Sequence, residues 1–160
     1  MTVYGTAYRL LGNQDAAQDI TQDVFYKVHR AAHQLDPERD PAAWLVGITT
    51  NACRDLWRSR AHRMGKASAS LDDNPVLQAT LASDGPSPER DAEHGEREVL
   101  VHGALQELSE PMREVIVLHD YQGLTHDVIA DMTGISHAAV RKRYSRALAK
   151  LGEILRERLS

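Results

Sequence analysis

Basic side chains lie close together in one segment near the C-terminus, THDVIADMTGISHAAVRKRYSR at 125–146. At helical spacing, the side chains predicted on its outer surface are His137, Arg141, Lys142 and Arg146. Those predicted to face a core are Val140, Tyr144 and Leu148. A cationic outer face suits DNA phosphates and base edges, although a solvated surface helix can carry the same residues.

The turn inside this segment has the residue types of a helix-turn-helix. Thr125 and Ser136 can each cap a helix, because a hydroxyl accepts from amides that the first turn leaves unpaired. Gly134 lies where the chain must turn sharply, and a residue without Cβ adopts positive φ there at low cost. With the small Ala130, these residues predict two helices, the second of which lies in the major groove of duplex DNA.

Composition limits the rest of the interpretation. The 160 residues carry 19 Lys or Arg against 23 Asp or Glu, so DNA binding must be local rather than a matter of bulk charge. The single cysteine, Cys53, excludes an internal disulfide and is expected to pack as a small apolar residue. No apolar run approaches the length of a membrane span, so we expect a soluble, cytoplasmic protein without membrane insertion.

Apolar residues recur at intervals of three and four, which predicts an all-α fold. Charge divides the chain in three, because residues 67–98 hold two Lys or Arg against eight Asp or Glu while both flanks are nearly balanced. We therefore expect two small helical domains, at 1–65 and 99–160, joined by a flexible acidic linker at 66–98. The linker is either a solvated tether or an acidic mimic of nucleic acid inside a basic channel of a partner.

The C-terminal domain is predicted to hold four helices. The apolar stripe of its first helix is Val99, Leu100, Ala104, Leu105 and Leu108. Ser109 and Pro111 mark the start of a second helix, which ends near Gly123. With the two helices of the helix-turn-helix, the domain is predicted to be a four-helix or winged-helix-like unit.

The N-terminal domain is predicted to begin with a helix that stops at Gly12 and Asn13. A second helix starts around Asp15, and its inward side chains are Ile20, Val24, Phe25 and Val28. Its outer face is polar and acidic and consists of Asp15, Gln18, Asp19, Gln22 and Asp23. Simple solvation would also explain that face.

A loop from His33 to Pro41 leads into a third predicted helix, from about Ala42 to Arg60. The arginines near the end of this helix are Arg54, Arg58, Arg60 and Arg63. Aromatic rings beside clustered arginines are typical of single-stranded DNA binding, because bases stack on rings while cations follow the backbone. We nevertheless expect Trp44, near the start of the helix, to belong to the core.

The sequence indicates no catalytic or metal site. His29 and His33 have the i, i+4 spacing of metal ligands, yet no Asp, Glu or Cys stands at a supporting spacing. The sequence also contains no Gly-rich phosphate loop and no nucleophile elbow. We therefore expect neither a cofactor nor an enzymatic reaction.

Both predicted domains resemble one known family. DAAQDITQDVFYKVHRA at 15–31 and LDPERDPAAWLVGITTNACRDLWRSR at 35–60 resemble the region that binds core polymerase and the minus-ten promoter element in bacterial sigma factors of the extracytoplasmic function (ECF) group. LQELSEPMREVIVLHDYQGLTHDVIADMTGISHAAVRKRYSRALAKL at 105–151 resembles the minus-thirty-five binding region of that group. The second half alone also resembles output domains of two-component regulators, but the two halves in this order are specific to sigma factors.

The resemblance implies partners and roles for individual residues. The implied partners are core RNA polymerase, promoter DNA and an anti-sigma factor. The resemblance assigns core polymerase binding to Asp19, Gln22 and Asp23. Minus-ten binding, with capture of a flipped base, falls to His33, Asp36, Arg39, Asn51, Arg54 and Arg58. The resemblance assigns minus-thirty-five binding to Ser136, Ala138, Arg141 and Arg143, and the outward cationic face of the same helix adds His137, Lys142 and Arg146.

Two departures from the family pattern affect these expectations. Family members carry roughly two more helical turns, or a further helix, before the point where this chain begins, so we expect a truncated first region. His137, Ala138 and Ala139 stand where small and hydroxylated residues are commoner, which leaves the base preference open. The alternative function is a stand-alone regulator of duplex DNA, which would not need to bind core polymerase.

Overall fold

The computed structural model describes residues 2–34, 38, 40–66 and 90–160. The chain divides into two compact units, Met1–Thr80 and Leu81–Ser160. The described residues form seven α-helices, a 3-10 turn and a π-helical turn, and they include no strand. The all-α expectation is therefore confirmed, and the C-terminal unit has the four-helix form rather than a winged one.

The N-terminal unit consists of α1 (Thr2–Leu11), α2 (Gln14–Ala31) and α3 (Pro41–Lys66), and each helix contacts the other two. A 3-10 turn, Ala32–Gln34, follows α2. The apolar side chains buried in the unit include Val3, Ala7, Leu10, Ala17, Val24, Val46, Ala52 and Cys53. Burial of each large member contributes about 1.5–3 kcal/mol, so this small core holds the three helices together. Cys53 packs as the small apolar residue that the sequence predicts.

The junction between α1 and α2 differs in detail from the predicted one. Gly12 ends α1 with a φ of +71°, and its N–H donates to the carbonyl of Tyr8 at 2.8 Å. Asn13, which the sequence analysis placed in the stop of α1, instead begins α2, because its Oδ1 accepts from the N–H of Ala16 at 3.0 Å. The stop and the start therefore occupy two consecutive residues.

Three apolar residues predicted to face a core are exposed instead. Phe25 is 46% exposed and Val99 is 64% exposed, while Leu148 is 42% exposed. Phe25 and Leu148 each follow a fully buried neighbour, Val24 and Ala147 respectively, and consecutive helical residues point about 100° apart. Apolar periodicity finds the side of a helix that carries the stripe, but it does not decide which residue at the margin of the stripe reaches the core.

The C-terminal unit consists of α4 (Arg90–Glu107), α5 (Glu110–Ile116), a π-helical turn (Val117–Tyr121), α6 (His126–Thr133) and α7 (His137–Leu159). Helix α7 contacts α4, α5 and α6, so it forms the centre of the unit. The buried apolar side chains are Ala104, Leu105, Leu108, Val115, Ile116, Val117, Leu118, Ile129, Ala130, Val140, Ala147 and Ile154.

Helix α4 begins inside the segment predicted as linker. The linker was expected to run to residue 98, but the helix starts at Arg90. Residues 96–98 are exposed, so this first part of α4 is a polar helix with no apolar stripe in the sequence to reveal it. Residues 67–89 lie outside the described residues, and the linker there stays a prediction.

A buried arginine joins α4 to α5. The guanidinium of Arg113 donates to the carbonyls of Leu105 and Leu108 at 2.9 Å and of Gln106 at 3.1 Å. The last carbonyls of a helix have no partner within it, so Arg113 supplies the donors that the end of α4 lacks. Burial lowers the pKa of Arg113, and the charge of Glu110 opposes that shift.

Candidate functional sites

The turn between α6 and α7 has the geometry that the sequence predicts. Thr125 caps α6 by accepting from the N–H of Val128 at 3.3 Å, and Ser136 caps α7 by accepting from the N–H of Ala139 at 3.1 Å. Gly134 has a φ of +73°, and its N–H donates to the carbonyl of Ala130 at 2.9 Å. The caps and the glycine therefore fix where α6 ends and α7 begins.

Most of the residues predicted to meet the minus-thirty-five duplex lie on the surface of α7. The exposed ones are Ser136, His137, Ala138, Arg141, Lys142 and Arg146, whereas Arg143 is half-buried. Arg143 points about 200° around the helix from Arg141, so the two cannot share one side of it. A helix in a major groove about 12 Å wide has phosphates on both flanks, and such a pair would face opposite walls.

A cluster of three rings, which the sequence analysis did not find, joins the π-helical turn, α6 and α7. The ring cluster is His119, His126 and Tyr144, with centroids 4.7, 4.7 and 5.2 Å apart. Tyr144 was predicted as core, but it is half-buried and its hydroxyl donates to Asp120 at 2.8 Å. Burial raises the pKa of Tyr144, and so does the bond to Asp120. No local pattern could reveal the cluster, since its members come from three separate elements.

The acidic face predicted on α2 is present and includes aromatic surface. Asp19, Gln22 and Asp23 are exposed, and Asp23 pairs with Lys27 at 3.0 Å. Tyr26 is 62% exposed and follows these residues at intervals of seven, four and three, so it shares their face. The same helical spacing is present in the sequence, but the predicted face consisted only of acidic and amide side chains and did not include the aromatic ring.

The residues predicted to bind the minus-ten element are only partly described. Asp36 and Arg39 lie outside the described residues, and His33 is exposed in the 3-10 turn. On α3, Asn51 and Arg58 are exposed and Arg54 is half-buried.

These three residues of α3 lie at intervals of three and four, which brings them to one side of the helix. The Nη1 of Arg58 is 4.0 Å from a carboxylate oxygen of Asp55. Because both side chains are exposed, this pair leaves the guanidinium available to another anion. Trp44, predicted as core, is half-buried.

Helix α3 begins with a cap at the end of the predicted loop from His33 to Pro41. The Oδ1 of Asp40 accepts from the N–H of Ala42 at 3.0 Å, and Pro41 occupies the first helical position. Among the described residues, no three His, Cys, Asp or Glu side chains gather as metal ligands. No helix among them is long and apolar enough to cross a membrane.

Family models match both units of the chain. Residues 2–63 match Sigma-70 region 2, and residues 98–151 match Sigma-70, region 4. CnrH, an RNA polymerase sigma factor of Cupriavidus metallidurans, is 35% identical over 86% of this chain and 72% of its own. The chain belongs to the sigma-70 family of RNA polymerase sigma factors. Its relatives include proteins of the ECF group, which confirms the family suggested by the sequence.

Two other proteins show how far the similarity extends. The ECF RNA polymerase sigma factor SigE of Mycolicibacterium smegmatis is 32% identical over 96% of this chain, which spans only 57% of SigE. The sigma factor RpoE of Bartonella quintana, solved with the anti-sigma factor NepR, is 23% identical with a TM-score of 0.71, covering 96% of this chain and 89% of RpoE. CnrH has been solved with the cytosolic domain of CnrY, and that structure has 26% identity and a TM-score of 0.64 over 98% of this chain and 81% of CnrH.

Proposed function

We propose that this sigma factor recruits core RNA polymerase to promoters and initiates transcription there. Residues 1–65 serve as region 2 and residues 99–160 as region 4, with a linker between them. The family is one of non-catalytic initiation factors, so the chain itself makes and breaks no bond. The main support for this proposal is that family models match region 2 and region 4 in one chain, in that order.

Region 4 binds the minus-thirty-five duplex through α7. The support is a set of exposed residues that begins at the Ser136 cap and includes Arg141 and Lys142, which are neighbours on the outer surface of the same helix. Cations of this kind contact phosphates and fix the register of the helix in the groove, while base edges determine sequence preference. The half-buried Arg143 would then meet the wall of the groove opposite to Arg141.

Region 2 has two tasks in this proposal. The exposed face of Asp19, Gln22 and Asp23 binds core polymerase, and the adjacent ring of Tyr26 adds apolar contact area there. The side of α3 that carries Asn51, Arg54 and Arg58, together with His33, Asp36 and Arg39, binds the minus-ten strand. A flipped base costs a few kcal/mol of lost stacking and pairing, which contacts of these residues with the strand would offset.

The other partners follow from the relatives. RpoE was solved with the anti-sigma factor NepR and CnrH with the cytosolic domain of CnrY, and we propose that an anti-sigma protein likewise binds and restrains this chain. A factor that works with RNA polymerase acts in the cytoplasm. A stand-alone regulator of duplex DNA is not favoured, because it would have no use for a region 2 over residues 2–63.

Run-off transcription tests the proposal. Purified bacterial core polymerase is mixed with the full chain on a library of promoter fragments from a related genome, with core alone as one control. A chain in which Arg141 and Lys142 are both replaced by Ala serves as the matched variant, and it should give fewer transcripts from the same start sites. Discrete transcripts that require the chain support the proposal, whereas duplex binding without transcripts would identify a stand-alone regulator.

A further inference from the structure

The ring cluster connects α7, the helix proposed to bind the duplex, to the π-helical turn and to α6. His119 belongs to the π-helical turn, His126 is the first residue of α6, and Tyr144 is the eighth residue of α7. The His119 ring meets the Tyr144 ring edge to face, with 73° between the ring planes. Paired rings in this arrangement attract each other beyond the effect of the area that they bury. Tyr144 lies one turn after Arg141, so whatever orients Tyr144 also orients that cation.

Hydrogen bonds fix two of the three rings. The Nδ1 of His119 lies 2.8 Å from the carbonyl oxygen of Leu124, and because a carbonyl only accepts, the proton is on Nδ1. The hydroxyl of Tyr144 donates to Asp120 at 2.8 Å. The Nε2 of His126 differs, because it is covered and has no hydrogen-bond partner among the described residues. Burial of a neutral imidazole in that position costs less free energy than burial of an imidazolium, because the N–H on Nε2 of the imidazolium would lack an acceptor.

Three groups near His126 also oppose a proton on it: His119 from the π-helical turn, and His137 and Arg141 from α7. The ring of Tyr144, also from α7, packs against the ring of His126. Asp127, the next residue of α6, has the opposite effect, but its carboxylate also contacts Nε2 of His137. Burial lowers the pKa of His126 most, and the neighbouring His119, His137 and Arg141 lower it further.

We propose that the ring cluster is a positioning device for α7 in duplex binding, and that a proton on His126 weakens this positioning. The inference rests on the DNA binding of region 4 proposed above and names its regulation. His126 and Tyr144 act through α7, since the cations that meet the duplex are on that helix. A more acidic solution therefore reduces minus-thirty-five binding through the fold of region 4 itself.

The same proton acts on stability, and the sign follows from the lowered pKa of His126. Near its ordinary value of 6.5, the unfolded chain takes up the proton before the folded chain does. The contribution of His126 to the stability of region 4 is therefore fully present above that pH and is lost as the pH falls from there through the lowered pKa of the folded chain. Duplex binding requires the folded arrangement, so its affinity should also decrease as the pH falls.

Two substitutions at His126 separate the ring from the proton. His126→Phe keeps an aromatic ring but does not titrate, whereas His126→Ala removes both. Binding of the full chain is measured at constant ionic strength at pH 7.5 and pH 5.5. The probe is a duplex that carries the minus-thirty-five element of a promoter recovered by run-off transcription. The parent should lose about fivefold or more of its affinity over this range, a coupling of ordinary size, and His126→Phe should lose much less.

The affinities at pH 7.5 test the positioning role. His126→Phe should bind the duplex nearly as well as the parent, because an aromatic ring still fills the position. His126→Ala lacks the ring and should bind less well. Tyr144→Phe keeps its ring but loses the bond to Asp120, and it should bind less tightly at both pH values with the parent's pH response. Circular dichroism at both pH values establishes that each variant is folded.

Three results would overturn the inference. An equal pH response in His126→Phe and in the parent would mean that other histidines cause it. A steeper rise of affinity in the parent than in His126→Phe as the pH falls would mean that the added charge attracts phosphates and outweighs any loss of positioning. Duplex binding by Tyr144→Phe equal to that of the parent would remove the cluster from the positioning of α7. A parent that binds no duplex at pH 7.5 would instead contradict the proposed function.

Discussion

Helices α2 and α7 begin in the same way and present opposite charges. Each follows a glycine at positive φ, Gly12 at +71° and Gly134 at +73°. Each is then capped by a polar side chain, because Asn13 accepts from a backbone N–H at 3.0 Å and Ser136 does so at 3.1 Å. The outer face of α2 is acidic and aromatic, whereas that of α7 is rich in Lys and Arg.

This comparison separates what builds a helix from what gives it a partner. The glycine and the cap define where the helix starts, and the apolar stripe defines which side is buried. Neither feature distinguishes a surface for a protein from a surface for DNA. The outward residues make that distinction, so exchange of charge on one face should change one partner and leave the other unaffected.

The two units differ in what stabilises the connections between their helices. In the C-terminal unit, Arg113 holds the end of α4 through three carbonyls, and no comparable buried arginine occurs among the described residues of the N-terminal unit. The largest predicted effect comes from removal of this arginine, which would make the two units alike in this respect. Arg113→Met should reduce the free energy of unfolding of the C-terminal unit by about 3 kcal/mol, because buried carbonyls lose their donors.

The measurement uses the position of the tryptophans. Trp44 and Trp57 both lie on α3, so their fluorescence reports the N-terminal unit, while far-UV circular dichroism reports both units. In urea, Arg113→Met should shift part of the dichroism transition and leave the fluorescence midpoint in place. Arg156→Met, which removes an exposed arginine bonded to a carbonyl of its own helix, is the matched control. An equal shift of both signals would mean that the units do not unfold separately.

The second prediction tests whether the two helix starts are equivalent. Asn13→Ala and Ser136→Ala should each lower the free energy of unfolding of their own unit by about 1 kcal/mol. Each substitution leaves one backbone amide in the first turn of a helix without its acceptor. The first should lower the stability reported by fluorescence and the second only that reported by dichroism. Ser109→Ala is the control, since Ser109 begins α5 without a side-chain cap bond and its loss should cost under about 0.5 kcal/mol. Equal losses in all three variants would show that the cap bonds contribute nothing.

Local rules were enough for the framework of both units. Gly134, Ser136 and Thr125 were identified because caps and positive φ depend on residues a few positions apart. The outward placement of Arg141 and Lys142 followed from helical spacing alone. The family match then confirmed the sigma-factor family that those residues and the region at 15–60 had indicated.

Other features depend on contacts between distant parts of the chain, which spacing does not contain. Phe25 lies beside the stripe of α2 and was predicted inward, yet only packing decides that Val24 takes the buried position. The ring cluster combines His119 and His126 with a tyrosine 18 or more residues further along. The polar start of α4 at Arg90 has no apolar period, so composition made it look like linker.

The central claim is that the outer face of α2 binds core polymerase and that of α7 binds the promoter duplex. The most direct test measures the affinity of full-length Asp19→Lys/Asp23→Lys for core polymerase, with Glu96→Lys/Glu98→Lys as the charge-matched control on exposed residues. Loss of the Asp23–Lys27 pair costs little because both side chains are exposed, so the variant should fold.

Reversal of both charges places like charges against the partner, and core affinity should fall by about 100-fold or more while the control binds normally. The variant should still bind the minus-thirty-five duplex. Arg141→Ala should show the reverse pattern, with normal core binding and a salt dependence of duplex binding reduced by about one phosphate contact. Normal core binding by Asp19→Lys/Asp23→Lys would contradict the account.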